Sequence, residues 1–377
     1  MNAPDPVLSL VRPEILALTP YSSARKESSG GRVWLDANEN PLTPHADAPR
    51  LNRYPEPQPA DLVARFASLY GVTPDRVLVT RGSDEGIDLL LRAFCSAGRD
   101  AILITPPTYG MYTVSAAIQG AQVVRVPLIR EKDFALDAAA VLAAALNPPA
   151  PDPVRASLDS SFSPAPTAAC PVKLVFLCSP NNPTGQLLDR EAVLTITRSL
   201  LGRAVVVVDE AYAEFAAAPS LAADLATNPN LVVLRTLSKA YGLAGARVGV
   251  TLGSPAVIGV LQKIIAPYPI PVPVLHAALV ALTGSAIADA RRYAQTLVLE
   301  RQRVADALPK FKVVKRVWPS DANFLLVEVT DAAKVMAAGR AAGVIWRDRT
   351  KDVPNTVRLT IGTAEENDQT LEVLSHL

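Results

Sequence analysis

The sequence predicts an α/β fold, with a large domain built on a mostly parallel sheet flanked by helices and a smaller α+β domain after it. Three observations predict it. Short, apolar, β-branched runs recur at 76–80, 101–105, 121–126, 172–178, 204–208, 231–234 and 248–252. They lack polar alternation, as strands buried on both faces do. Helix-length stretches lie between them, such as 85–97 (EGIDLLLRAFCSA) and 190–201, and strands alternating with helices favour parallel pairing. The last third changes character: a long helical pattern at 287–308, strand-like runs at 311–317 and 324–329, a further helix, then 357–361. A chain of 377 residues exceeds what one core usually holds. The expected division is an arm over 1–54, a large domain over 55–275 and a small domain over 276–377.

The arm is rich in proline and turn residues and is expected to pack on the small domain or on a partner subunit. The segment 147–171 (NPPAPDPVRASLDSSFSPAPTAACP) is dense in Pro, Ala and Ser and reads as a mobile surface insertion. No internal repeat is visible. With 49% hydrophobic and 19% charged residues and a formal net charge of +1, the chain offers no field for steering polyanions, so nucleic acid and membrane surfaces are poor partners. The three cysteines, Cys95, Cys170 and Cys178, are too few and too scattered for a disulfide framework or a zinc site and read as core or loop thiols. His45, His276 and His376 lie outside every motif, and no metal site is expected. Pro4, Asp5, Pro6, Arg12 and Pro13 interrupt the start where a signal peptide would be unbroken, and no uncharged apolar run reaches the ~18 residues of a membrane span. A cytoplasmic protein is expected.

Four polar clusters follow four of the apolar runs. In an open parallel sheet, ligands bind beyond the carboxyl ends of the strands, so the clusters can converge. The first, TRGSDEGIDLLL, is a glycine-bracketed turn opening a helix. Its free N–H groups and dipole suit a phosphate, although such a turn is as often a plain helix cap. The second, SPNNPTG, is stiffened by two prolines and leaves Asn182 to offer its amide; alone it could be only a strand-to-helix turn. The third, DEAY, puts Asp209 at the mouth of a buried strand and Tyr212 three residues on. A carboxylate there is costly to bury unless it meets a cation. The fourth, RTLSKAYGLAGARVG, contains Lys239 beside Ser238, with Arg247 eight residues later. A lone loop lysine is usually a solvated charge. Here Ala240, Gly242, Ala244 and Gly245 allow the amine to be desolvated, as Schiff-base chemistry requires. Thr236, Ser238 and Arg247 offer two hydroxyls and a guanidinium to a phosphate.

The order NPTG, then D-E-A-Y, then S-K-x-x-x-L-A-G-x-R-x-G resembles the signature series of the class I and II aminotransferases, and the resemblance runs along nearly the whole chain. It implies a fold-type I transferase that uses pyridoxal 5′-phosphate. It further implies that Lys239 carries the cofactor on its amine and shuttles the substrate's proton, and that Asp209 pairs with the protonated ring nitrogen. Asn182 and Tyr212 would hydrogen-bond the ring's phenolate oxygen, and Tyr109, in PPTYGMY, would lie over the ring. Ser83, Asp84, Thr236, Ser238 and Arg247 would line a phosphate cup, the first two through backbone N–H groups. The Asp84 side chain is expected to point away.

Eight collinear strings look like the histidinol-phosphate aminotransferase family in particular: LTPYSSAR, LDANENP, RYPEPQP, PPTYGMY, TLSKAYGLAGARVG, APYPIPVPV, SDANFLLV and GVIWRDR with VRLTIGT. That likeness implies exchange of an amino group between histidinol phosphate and 2-oxoglutarate, giving imidazole-acetol phosphate and glutamate, in L-histidine biosynthesis. Arg347 and Arg358 would meet the substrate's anions, with Tyr21 and Asn323 as neutral donors. Arg358 would also take the α-carboxylate of glutamate or 2-oxoglutarate. Arg349 and Lys351, in RDRTKD, read as a charged surface loop. Tyr54 resembles a tyrosine that crosses a homodimer interface to the neighbouring cofactor phosphate. Two other enzyme readings stay open, an aminotransferase for aromatic or imidazole amino acids and a threonine-phosphate decarboxylase. A ligand-sensing regulator is a further class; it would need an appended DNA-binding domain, for which the sequence offers no room.

Overall fold

The computed structural model describes residues 5–20, 36–42, 51–149 and 169–377. Seven strands form one sheet in the order β1 (Val77–Thr80), β7 (Gly249–Leu252), β6 (Leu231–Thr236), β5 (Val205–Asp209), β4 (Val172–Cys178), β2 (Ala101–Ile104) and β3 (Gln122–Arg125). β7 runs antiparallel to both its neighbours, and every other pairing is parallel. The runs are β-branched and apolar at successive positions, so each strand can bury both faces. Val79, Leu103, Val175, Val206 and Val233 face one core, whereas Leu78, Ile102, Leu174, Val207 and Val232 face the other. Helices cover each face, among them α1 (Ser83–Phe94) and α2 (Met111–Gln119). No single helix among the described residues is long and apolar enough to cross a membrane. Cys95, Cys170 and Cys178 are buried thiols.

This topology sets polar residues side by side at one edge. Cys178 and Asp209 are neighbours across β4 and β5, and Asp209 lies opposite Leu234 of β6. The end of β1 closes on Gly249 of β7, where an added Cβ would stand 2.6 Å from the Gly82 carbonyl carbon and 2.8 Å from the Arg235 oxygen. Only glycine lets the turn after β1 lie against the strand that leaves the Lys239 loop.

The second sheet is antiparallel throughout, in the order β10 (Arg347–Asp348), β11 (Thr356–Thr360), β9 (Phe324–Val329), β8 (Val314–Val317). Its core joins Leu325, Val327, Trp346 and Leu359 to Val304, Leu308, Val335 and Leu374, the last four carried by helices that include α3 (Gly284–Ala307). The strand expected from 311 starts only at Val314, because a tight turn over Leu308–Lys310 precedes it. β10 was not anticipated; two polar residues carry no periodicity.

Two further expectations need correction. Residues 5–20 pack on helices of the large sheet, not on the small domain. Val7, Leu10 and Val11 enter the same core as Leu89 and Leu90, the Arg12 backbone N–H donates to Ala93 O at 3.0 Å, and Lys263 Nζ donates to Leu16 O at 2.6 Å. Apolar side chains at that spacing bury one face of a short helical turn wherever an apolar groove is nearest. The boundary expected at 275/276 cuts the helix Val272–Ala281, whose Ala278 packs in the large core. We propose the division just after it. The segment 147–171 falls largely outside the described residues.

One polar cluster lies inside the large domain. Arg235 of β6, its side chain 6% exposed, pairs with Glu210 at 2.7 Å and Glu214 at 2.6 Å and lies 4.8 Å above the Tyr70 ring centre. Glu210 also accepts the Leu221 N–H at 2.8 Å. Removing one member of a buried ion cluster strands the remaining charges, at a cost of about 3–5 kcal/mol. Arg235→Met should therefore lower the urea unfolding free energy by about that amount, and adding Glu210→Gln and Glu214→Gln should recover much of it. Equal stabilities for the single variant and wild type would show that the cluster is solvated.

Candidate active site

The crevice is floored by Asp209, 2% exposed at the end of β5. Its Oδ1 accepts the Ala211 N–H at 3.1 Å, and its Oδ2 accepts the Tyr112 hydroxyl at 2.9 Å. Burial nevertheless dominates and pushes the carboxyl up to about 6, because desolvation disfavours the charged form more than two donors favour it. Tyr112 escaped the sequence reading. It stands three residues after Tyr109 in PPTYGMY, in the first turn of α2, and its place in that string was the available signal.

Above Asp209 lies the Lys239 loop. The Lys239 side chain opens into the crevice while its amine is partly desolvated, so burial lowers its pKa, followed by Arg358 and Arg247; Asp84 and Asp209 oppose the shift. Its Nζ is 5.5 Å from the Tyr212 ring centre. Tyr212 is 8% exposed and meets Phe324 of β9 edge-on, with ring centroids 5.2 Å apart.

The end of the crevice suited to an anion is built by the turns after β1 and β6. Arg247 Nη1 donates to Ser238 Oγ at 3.2 Å, and Thr236 Oγ1 donates to the same oxygen at 2.9 Å while accepting the Ser238 N–H at 3.1 Å. Thr236 thus orients Ser238 from beneath. α1 begins at Ser83 with no side chain capping its first N–H groups. Gly82, at φ 76°, lies so close that an added Cβ would be 2.7 Å from Arg247 Nη2. The expectation that the Asp84 side chain points away is wrong: Oδ1 accepts the Tyr109 hydroxyl at 2.9 Å, and Oδ2 lies 3.1 Å from Arg247 Nη2. The guanidinium supplies the cation that makes an acidic residue tolerable there.

The small sheet closes the other side. Arg358 Nη1 donates to Asn182 Oδ1 at 2.6 Å, and its Cζ lies 5.1 Å from the Phe324 ring centre. Its Nε is buried without a hydrogen-bond partner among the described residues. Arg347 sits directly opposite Arg358 in the β10–β11 register, and residues so paired share one face. Arg349 corrects the surface-loop reading: its side chain is only 15% exposed, 3.0 Å from Asp352, and near enough to help lower the pKa of Arg358. Lys351 is exposed.

Asn323, half-buried just before β9, accepts the Ile361 N–H on its backbone oxygen at 2.9 Å. Tyr54 has different neighbours: its ring, half-exposed, stacks on Tyr268 at 4.5 Å, and its N–H donates to Glu39 at 2.7 Å. Tyr268 belongs to APYPIPVPV and was not singled out. Tyr21 lies outside the described residues. Asn181 was also missed; its amide donates to Pro107 O at 2.8 Å and Thr184 Oγ1 at 2.7 Å, tying together the loops after β2 and β4.

A desolvated lysine, a buried carboxylate and an arginine–serine anion cradle at the carboxyl ends of a parallel sheet define a class. The chain belongs to the class I and II aminotransferase family, whose model matches residues 26–374. Among its relatives, the histidinol-phosphate aminotransferase of Stenotrophomonas maltophilia is 44% identical over 100% of this chain and 98% of its own length. That of Aeromonas hydrophila is 46% identical over 98% of each. A crystal structure of histidinol-phosphate aminotransferase from Sinorhizobium meliloti in complex with pyridoxal 5′-phosphate superposes with a TM-score of 0.72 at 25% identity, covering 86% of this chain and 82% of that one.

The charges around Lys239 yield a direct expectation. Because Arg358 is the second cause of its lowered pKa, Arg358→Gln should move the Lys239 titration upward. The pH dependence of its acylation rate in the cofactor-free protein, followed by peptide mass spectrometry, measures this. An unchanged profile would separate the two side chains electrostatically.

Proposed function

We propose that this chain is a pyridoxal-5′-phosphate-dependent transaminase that exchanges an amino group between histidinol phosphate and 2-oxoglutarate, in L-histidine biosynthesis. The observation that carries the substrate is Arg347 facing Arg358 in register, with Arg349 beside them. Like charges directly opposite in a sheet are destabilising, so the pair is relieved by an anion lying between them. A phosphorylated amino compound and a dicarboxylic oxo acid both supply one.

The residues present fit the cofactor. Asp209 is a buried carboxylate suited to a ring-nitrogen cation, and the uncapped first turn of α1, Ser238 and Arg247 form a cradle that a Cβ at Gly82 would fill. When bound, the cofactor supplies an electron sink for the substrate carbon that bears the amino group. Burial, with Arg358 and Arg247 beside it, lowers the pKa of Lys239 and so favours its unprotonated amine, which would hold the cofactor and would take and return the proton of that substrate carbon. The Asp209 carboxylate holds the proton on the ring nitrogen. Asn182 and Tyr212 reach the ring's oxygen, and Tyr109, held by Asp84, covers one face. Ser83 and Asp84 N–H groups, Ser238 and Arg247 bind the phosphate, with Thr236 as their support. Arg358 takes the carboxylate of glutamate or 2-oxoglutarate, while Arg347, Asn323 and Tyr21 attend the substrate phosphate. The protein works in the cytoplasm as a homodimer, in which Tyr54 reaches the neighbouring site.

Three measurements test this. Adding histidinol phosphate, threonine phosphate, phenylalanine or histidine should convert the lysine-bound absorbance fastest with histidinol phosphate, and Lys239→Ala should abolish the band. One arginine contact is worth about 1.5–3 kcal/mol, so Arg347→Ala should raise the apparent Kd for histidinol phosphate about tenfold or more. Equal binding would put the phosphate elsewhere. Mixing an inactive Lys239→Ala subunit with an inactive Tyr54 variant should restore part of the activity if sites are shared between subunits. Activity that stays flat after exchange would assign each site to one chain.

A further inference from the structure

We propose that Tyr112 is a positioning residue of this active site, its hydroxyl keeping the Asp209 carboxylate ionised and fixed in the rotamer that meets the cofactor ring nitrogen. This deepens the proposed function and rests on it. Three contacts carry the assignment. The hydroxyl donates to Asp209 Oδ2 at 2.9 Å with both groups fully buried. The Tyr112 ring stacks on Phe176 of β4, with centroids 4.8 Å apart and planes at 15°, so the phenol cannot turn away. Its edge meets the Tyr109 ring at 5.6 Å and 87°, so one side chain touches both the residue beneath the ring nitrogen and the residue placed over the ring.

The arrangement has a definite sign. Asp209 has two carboxylate oxygens; Oδ2 is engaged by Tyr112, and Oδ1 accepts Ala211 N–H from its own turn. A donor to the ionised form lowers a carboxyl pKa, and Tyr112 is the largest influence opposing burial at this residue. The other titratable groups facing Asp209 are Cys178 of β4, whose thiol burial holds protonated, Asp84 and Tyr109 from the far side, and Lys239 and Tyr212 from the loops above. Of these only Lys239 also favours the carboxylate, and its amine is the group committed to the cofactor. With the hydroxyl gone, Asp209 becomes a stronger base and draws the shared proton from the ring nitrogen onto its own oxygen.

Tyr112→Phe keeps the ring, its stack and its volume. In the full-length apoprotein, carboxyl-labelled aspartate followed by NMR should show the Asp209 midpoint rising from about 6 in the variant. In the holoenzyme with nitrogen-labelled cofactor, the ring-nitrogen signal should move toward the neutral pyridine position at unchanged pH, with turnover falling about tenfold for one lost hydrogen bond to a charged group. Incorporating 3-fluorotyrosine at position 112, a stronger donor, should shift the Asp209 midpoint the opposite way. If both titrations stay where they are in wild type while turnover or melting temperature drops, Tyr112 is only a packing residue and the proposal is overturned. A wild-type chain that binds no cofactor would instead overturn the functional reading, and the apoprotein titration would still judge Tyr112.

Discussion

Everything in this site depends on a carboxylate buried at the carboxyl end of a central parallel strand. Asp209 has neighbours on both sides in the sheet and almost no exposure, so water cannot solvate it. Two donors hold it and leave its pKa raised. Such a group is tolerated where it has a cationic partner to meet. The surrounding elements serve that requirement: the helix carrying Tyr112, with Tyr109 just before its first turn, approaches from one side, and the loop carrying Lys239 from the other.

A second constraint ties the two sheets together. Asn182, on the turn after β4, accepts from Arg358 of β11. Nearby, the Asp321 N–H donates to Gly185 O at 2.7 Å, and the Leu187 N–H donates to Asp321 Oδ2 at 3.1 Å. The turn after β4 is therefore fastened to the sheet that carries the arginines, so the two sides of the crevice cannot be placed independently. Phe324 reinforces the joint, touching Tyr212 edge-on and lying under the Arg358 guanidinium.

The buried Arg235 cluster plays a different part. It clamps the segment after Asp209 to the strand that leads into Lys239, so the spacing of carboxylate and lysine is set by a rigid ionic joint outside the crevice. Its chemistry is inert, since Arg235 is held charged by two glutamates.

By itself, the sequence determined the alternating architecture, because unalternated β-branched runs can be buried on both faces only between helices. It also marked Asp209, Lys239, Asn182 and Arg247 as candidates on their motifs, and the structure puts Asp209 at the end of β5 and Asn182 and Lys239 just beyond β4 and β6. Only the tertiary structure decided what those residues touch. Tyr112 carried no signal in the sequence beyond its place in PPTYGMY, and only the fold puts its hydroxyl on Asp209. Asp84 looked misplaced beside an anion until Arg247 was found across from it. Arg349 read as part of a charged surface loop until its side chain was found largely buried beside Asp352. The arm's first residues chose the large sheet's helices, although nothing in their pattern names a partner. Periodicity is a property of neighbours along the chain, whereas charge pairing and the choice of groove depend on groups that folding brings together from far apart.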